Sequence, residues 1–387
     1  MKPSTSLRKV VPSVIRRKRS NSPILDTSVQ INDGFDQTSG DGINMAFDSK
    51  YGITFCLYMP GEHGSYGESR GRICLTYFPA SQPTNTRTVE IARGDMVYVP
   101  QIISLGDGKV RAFYERNSRA DCDHFLCYRD FDYLAETLTE EQHMMYRAED
   151  GSVVPLTQSV QFAYLEAHGY RNHTYKCSEQ INIGGCTVFR GEDGWLYGAL
   201  PTFLSEVILY RSNDNLATVE FFAVCPEVAQ YELDYKFLNG KLHAIYRTED
   251  AVDSICYITS DDMGKTWSKP IRLKGSITCR PRILSYAGHI LLAYNYLNND
   301  TGNRPEIQQG RTSIRMLLGN HPDPHDNTVV ADLYSKCGIV NICLCDVMGD
   351  LYMGYSTSEL ALEYHNGNPK VRGKDAVRYV KLGDLSL

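Results

Sequence analysis

Short apolar segments alternate with tight, glycine-containing turns along most of this chain. Each turn is followed by a segment in which apolar residues recur at every second position, as in Lys241–Arg247. A period of two residues is that of a half-buried β-strand, and a glycine turn between two such segments predicts a β-hairpin. The turns end at Gly52, Gly108, Gly194, Gly240, Gly288 and Gly349. The predicted strands after them are Ile53–Tyr58, Lys109–Tyr114, Trp195–Leu200, Lys241–Arg247, Ile290–Asn295 and Leu351–Tyr355.

The intervals between these glycines are 56, 86, 46, 48 and 61 residues, and periods near ~40–50 residues are typical of four-stranded propeller blades. Six turns therefore predict an all-β, six-bladed β-propeller of four-stranded antiparallel blades over residues 41–387. The long interval after Gly108 predicts an insertion around 138–180, with a short helix near Glu140–Met145. A seven-bladed ring stays open if 1–45 or 140–180 contains a further blade. Residues 1–40 are basic at the start and predicted to be irregular.

One hairpin tip carries a longer motif. Gly264 permits a positive φ, Asp262 and Ser260 can accept bonds from backbone N–H groups, and a tryptophan ring can cover such a turn. Asp132 and Asp214 occupy the corresponding places in two preceding repeats. The motif S-x-D-x-G-x-T-W is formed by Ser260, Asp262, Gly264, Thr266 and Trp267.

This motif resembles the Asp-box, or BNR repeat, of the sialidase (neuraminidase) superfamily, in which it is a structural turn on a β-propeller. The resemblance covers roughly residues 95 to 385. It implies a glycoside hydrolase of the exo-sialidase type, with an active site built from loops at one end of the ring. We expect no cofactor and no metal.

The family's arginines are carried over position by position. Tyr98 starts a segment similar to the family's R-I-P and takes the place of the first arginine, which grips the substrate carboxylate. The same segment ends in E-x-R-like residues that include Glu115 and Arg116. Arg247 and Arg311 match the second and third arginines. Arg280, in a segment similar to G-R-P, is a further substrate-binding candidate.

The catalytic positions match less closely. The family glutamate falls at Tyr231, a candidate for substrate binding, and Glu232 is one residue away, where a strand presents its other face. Tyr334 is the tyrosine nearest to the position of the family nucleophile. Asp121 and Asp123 follow Arg116, as the family's acid aspartate does. Glu115 is a candidate either to orient an arginine or to act itself.

Replacing the first arginine by Tyr98 removes a positive charge and a bidentate donor. A uronic acid, another acidic sugar or a neutral glycan tolerates that loss better than a sialoside. We therefore predict glycan hydrolysis, with a carbohydrate as the partner. The alternatives are a non-catalytic glycan-binding propeller, a polysaccharide lyase on the same fold, and a protein-interaction platform.

The composition of the chain excludes few of these candidate functions. A net charge of −6 with 22% charged residues gives no sign of nucleic-acid binding. The 12 cysteines lack a C-x-x-C pair, and several lie in apolar segments, which predicts free buried thiols in a reducing compartment. No apolar run reaches the ~20 residues of a membrane span. Because Met1–Leu25 has no apolar core of a signal peptide, we expect a cytoplasmic protein. The sequence leaves the oligomeric state open.

Overall fold

The computed structural model confirms the six-bladed β-propeller. It describes residues 18–19, 29–30, 43–59, 71–94, 97–118, 123–170, 187–201, 206–225, 232–248, 250, 252–277, 279–297, 312–334, 338–365 and 368–387. These residues form six sheets, one for each blade. In each blade the strands follow one another in sequence and pair antiparallel, with a few added strands at the sheet edges.

The strands are numbered in chain order. The N-terminal segment contains β1 (Lys18–Arg19) and β2 (Val29–Gln30). Blade 1 contains β3 (Asn44–Asp48), β4 (Ile53–Tyr58), β5 (Gly71–Pro79) and β6 (Arg87–Gly94). Blade 2 contains β7 (Val97–Gly106), β8 (Lys109–Ser118), β9 (Asp123–Asp132) and β10 (Thr137–Leu138), joined by β11 (Gln142–His143). The insertion adds β12 (Met145–Arg147), β13 (Val153–Pro155) and helix α1 (Gln158–Ala167).

The other four blades complete the ring. Blade 3 contains β14 (Phe189–Arg190), β15 (Leu196–Pro201), β16 (Val207–Ser212) and β17 (Thr218–Cys225). Blade 4 contains β18 (Leu233–Leu238), β19 (Lys241–Arg247), β20 (Ile255–Ser260) and β21 (Ile271–Arg272). Blade 5 contains β22 (Arg282–Tyr286), β23 (His289–Asn295), β24 (Ser313–Gly319) and β25 (Thr328–Tyr334). Blade 6 contains β26 (Gly338–Val347), β27 (Asp350–His365) and β28 (Asn368–Gly383).

The helix of the insertion lies later than the sequence indicated. Around Glu140–Met145 the chain forms β11, which pairs with β9, and β12, which pairs in parallel with β17. Pairing with β9 and β17 outweighs the local helix propensity of these residues. The helix is α1 instead, and it begins after Thr157, whose side chain accepts a bond from Val160 N.

Two short strands of the N-terminal segment pair with blades of the ring. Strand β2 pairs antiparallel with β28 and becomes the fourth strand of blade 6. Strand β1 pairs in parallel with β25 at the outer edge of blade 5. Among the described residues blade 6 otherwise has three strands, so β2 covers an edge that would present unpaired N–H and C=O groups.

The core lies between the blades. Six buried apolar clusters occur, one at each junction between neighbouring blades. Successive residues of a strand point to opposite faces, so one strand supplies two junctions. In β19, Leu242, Ala244 and Tyr246 face blade 3, whereas Ile245 faces blade 5. This explains why the second strands are nearly continuous apolar runs.

The two ends of the ring differ in what they carry. The first strand of each blade begins at one end, which we call the upper end, and the glycine turns lie at the lower end. Bonds between blades 5 and 6 fix this alignment: Asn295 Nδ2 donates to Ile339 O at the upper end, over 2.9 Å. At the lower end, Tyr286 OH donates to Gly349 O over 2.6 Å.

The motif at Ser260–Trp267 is a lower-end turn between β20 and β21. Asp262 Oδ1 accepts from Thr266 N at 2.8 Å, and Ser260 Oγ accepts from Gly264 N at 2.8 Å. The repeat in blade 3 uses the same bonds, with Asp214 Oδ1 accepting from Thr218 N at 2.9 Å. These aspartates bind backbone and are distant from the upper end.

Among the described residues no helix is long and apolar enough to cross a membrane. The cysteines that the structure describes are all buried and free. Burial raises the pKa of the Cys343 thiol to about 12, so this thiol is a packing group at the junction of blades 1 and 6.

Candidate functional site

A buried cluster of three charged side chains lies at the upper end where blades 4 and 5 meet. Glu232 precedes β18, Arg247 ends β19, and Arg280 precedes β22. Arg247 Nη1 lies 2.9 Å from Glu232 Oε2, and Arg280 Nε lies 3.6 Å from Glu232 Oε1. The side chains of Glu232, Arg247 and Arg280 are 8%, 12% and 5% exposed. The cluster combines two guanidinium groups with one carboxylate.

The register of blade 4 explains why Glu232 and Arg247 meet. Leu233 pairs with Tyr246, and Arg247 N donates to Glu232 O over 3.1 Å. Residues directly opposite each other in an antiparallel pair point to the same face. Glu232 is therefore on the face of Arg247, although the sequence comparison placed the family glutamate at Tyr231. Tyr231 itself lies outside the described residues.

A rigid base supports this cluster. Two residues further along β18, the buried Asp234 accepts from Thr187 N of blade 3 at 2.9 Å and from Ile283 N of blade 5 at 3.1 Å. Lys236 Nζ lies 3.3 Å from Asp234 Oδ1. One carboxylate thus ties three blades together directly below Glu232. Hydrogen bonds of this kind, beneath a cluster of charged side chains, hold those side chains in a fixed geometry.

A repeated position marks the upper end in every blade. The seventh residue after the turn glycine lies toward the upper end of the second strand, and by alternation it faces the next blade. In blades 2, 4, 5 and 6 this residue is polar, and the set is Glu115, Arg247, Asn295 and Ser356. The sequence alone could have shown this regularity, because the position follows from counting after each glycine.

Glu115 contacts a histidine on the neighbouring strand. Its carboxylate is hydrogen-bonded to His124 Nδ1, and both side chains are almost completely buried at the junction of blades 2 and 3. Glu115 therefore corresponds in position to Arg247 but lies at a different junction. His124 was not expected from the sequence, since nothing marks it before the register of β8 and β9 is known.

Arg116 forms an ion pair with a residue of the insertion, Glu141. Its Nη2 lies 2.5 Å from Glu141 Oε2, and Tyr114 OH donates to the same oxygen at 2.6 Å. Burial opposes the charge of Glu141, but the bonds from Arg116 and Tyr114 outweigh it and lower the pKa of Glu141. Alternation along β8 turns Arg116 to the face opposite Glu115, toward blade 1. Arg116 therefore does not join the cluster around Glu232.

The remaining predicted residues are dispersed. Asp123 is the first residue of β9 at the upper end, and Tyr98 pairs with Glu115 across β7 and β8. Tyr334 ends β25, the fourth strand of blade 5. With neighbouring strands ~4.8 Å apart, Tyr334 lies about 14 Å from the inner strand of its own blade. A tyrosine there is not placed to act beside Glu232. Asp121 and Arg311 lie outside the described residues.

No group of three His, Cys, Asp or Glu side chains in the described ranges is arranged to hold a metal ion. The side chains that form the bonds described at the upper end include carboxylates, guanidinium groups, one imidazole and the Asn295 carboxamide. This set can bind an anionic or hydroxyl-rich ligand through charge-assisted hydrogen bonds.

Comparisons with known proteins extend the fold assignment. No family model and no curated protein sequence matches the chain. Among solved structures, Trypanosoma rangeli sialidase in complex with the inhibitor DANA aligns with a TM-score of 0.57 at 12% identity, covering 95% of this chain and 58% of that one. A Hadza microbial sialidase aligns with a TM-score of 0.58 at 13% identity, covering 92% and 68%.

A protein of unknown function from Dyadobacter fermentans is also similar, with a TM-score of 0.58 at 12% identity over 92% of this chain and 98% of that one. The chain thus spans little more than half of the Trypanosoma rangeli sialidase chain. At these identities the comparisons establish a sialidase-like propeller fold and nothing finer.

Proposed function

We propose that this protein hydrolyses a glycosidic bond in a glycan, with an acidic sugar as the preferred substrate. The observation that carries the proposal is Glu232 buried between Arg247 and Arg280 at the upper end of the ring. The ends of propeller strands present loops around the axis, and function on such a fold depends on the groups placed there.

In this proposal Arg247 and Arg280 bind the acidic group of the sugar. Guanidinium groups suit a carboxylate because they donate parallel, charge-assisted hydrogen bonds. Glu232 holds both arginines in place and faces the reacting carbon. Asp121 or Asp123 donates the proton to the leaving oxygen as the glycosidic C–O bond breaks, and a water molecule supplies the new hydroxyl group on the sugar carbon. Two carboxylic groups are assigned because glycosidases generally use two.

A non-catalytic glycan-binding propeller is the second candidate. It is favoured by Tyr98 at the position of the family's first arginine and by Tyr334 lying on β25, the fourth strand of blade 5. Such a protein binds glycans at the same arginines and turns over none of them.

A panel of aryl glycosides tests the proposal, including a sialoside, a uronide and neutral sugars. We expect hydrolysis of at least one acidic member by the wild type. Each charged hydrogen bond contributes ~1.5–3 kcal/mol. The substitution Arg247→Ala should therefore lower kcat/KM about 10- to 100-fold.

Arg111→Ala is the matched control. Arg111 is also 12% exposed and forms a bidentate ion pair, with Asp130 at 2.6 and 2.8 Å, but near the lower end of blade 2. It should leave kcat/KM within about threefold, because ion-pair loss there acts on stability and not on substrate. Binding on a glycan array without turnover of any substrate would replace hydrolysis with the second candidate.

A further inference from the structure

A second buried polar group lies at the upper end, between blade 2 and helix α1. It consists of Glu115 and His124, which are bonded to each other, and the glutamines Gln158 and Gln161 of α1. All four residues are at most 2% exposed. At this junction the neighbouring core residues are apolar, among them Leu126 and Leu165.

Helix α1 is fixed to the beginning of β9. Thr157, its N-cap, forms a bridge with Phe125, and Leu126 N donates to Leu156 O over 3.2 Å. Gln158 therefore starts the helix next to His124. The buried face of α1 consists of Gln158, Gln161 and Leu165, at the spacing of one helix face.

Glutamine is an unusual choice for the buried face of a helix, since a buried carboxamide must replace its bonds to water. Gln161 Nε2 is buried and has no hydrogen-bond partner among the described residues. Buried polar atoms nearly always have a partner in protein or in ordered water. The polar face of α1 therefore matches the Glu115–His124 pair in character.

We propose that Glu115 is a positioning residue, which fixes His124 and with it the start of β9, and that Gln158 and Gln161 support this arrangement. The inference rests on the proposed function, because Asp123, an acid candidate, directly precedes His124. A carboxylate bonded to a buried ring holds the backbone at this point. Because Asp123 is the residue before His124, its backbone position at the upper end is then fixed as well.

Kinetics of Glu115 variants test this role. Glu115→Ala should lower kcat about 100-fold and change KM less than about threefold, because a small displacement of a reacting group has effects of that size. Glu115→Gln keeps an oxygen that accepts from His124 and should recover kcat to within about tenfold of the wild type. Equal loss in both variants would instead make Glu115 a reacting carboxylate and overturn the proposal.

Hydrogen exchange supplies a readout that does not need turnover. Glu115→Ala and Gln161→Leu should each increase amide exchange at residues 123–126, whereas Arg111→Ala, in the same β8–β9 hairpin but near its lower end, should not. Unchanged exchange at 123–126 in Glu115→Ala would refute the positioning role. A wild type that hydrolyses no substrate would refute the proposed hydrolysis but not the positioning role. The hydrogen-exchange result still decides whether the Glu115–His124 pair fixes the start of β9.

Discussion

At the scale of single residues, Glu232 separates two guanidinium groups inside the protein. Its loss would leave Arg247 and Arg280 facing each other without their shared carboxylate. Removing one member of a buried ion pair typically costs ~3–5 kcal/mol. Glu232→Ala should therefore lower the free energy of unfolding in urea by about 3 kcal/mol or more.

Glu220 provides the comparison for Glu232. It also lies near two arginines, Arg147 at 3.2 Å and Arg211 at 3.4 Å, but the partners are about 40% exposed. Water screens such pairs, so Glu220→Ala should change stability little. Similar losses in the two variants would show that the burial of Glu232 does not determine its contribution.

The pH dependence of stability has a local source in Asp262. Bonds from Thr266 and Ser260 lower the pKa of Asp262 from 3.8 to about 2. A lowered pKa in the folded state gives stability that is present above pH ~4 and is lost as the pH falls toward ~2. Asp262→Asn should lower Tm at pH 7 and flatten the fall of Tm between pH 4 and pH 2. An unchanged slope would contradict this assignment.

At the scale of elements, the turn glycines differ in what surrounds them. Gly240 and Gly264 both have positive φ, of 77° and 82°. A Cβ on Gly240 would meet no atom within 4 Å, whereas one on Gly264 would lie 2.8 Å from Ala223 Cβ. Both alanine variants carry backbone strain of ~1 kcal/mol, and only Gly264→Ala adds a steric clash.

Chemical denaturation of the two variants separates these contributions. Gly264→Ala should be the less stable, since its new methyl group would displace the packing between blades 3 and 4. Equal stabilities would mean that the contact with Ala223 relaxes without cost, and that the positive φ alone accounts for both losses.

At the scale of the whole molecule, the ring is closed by a strand from the other end of the chain. Deleting residues 1–31 removes β2 from blade 6 and exposes the edge of β28, whereas deleting residues 1–24 keeps β2. The longer deletion should lower Tm by several degrees relative to the shorter one, because blade 6 then loses its fourth strand. Equal Tm values would show that β2 does not contribute to closure.

The repeated hairpins could be predicted because their signal is local. A strand such as Ile53–Tyr58 or Lys241–Arg247 follows from a glycine turn and a two-residue period, and both were found at the predicted bounds. The fourth strand of blade 6 could not, since β2 consists of Val29–Gln30 and pairs with residues distant in sequence. A strand of two residues is too short to show the two-residue period in the sequence.

The candidate site also has parts that the sequence indicates and parts that only the fold determines. The sequence by itself indicated Arg247 and Arg280 as candidates to bind an acidic sugar, because they lie in local motifs that resemble those of the sialidase family. Only the tertiary structure decided that Glu232 joins these two, that Glu141 engages Arg116, and that Glu115 bonds to His124. Each of these contacts depends on strand register or on packing between elements, which a linear pattern does not specify.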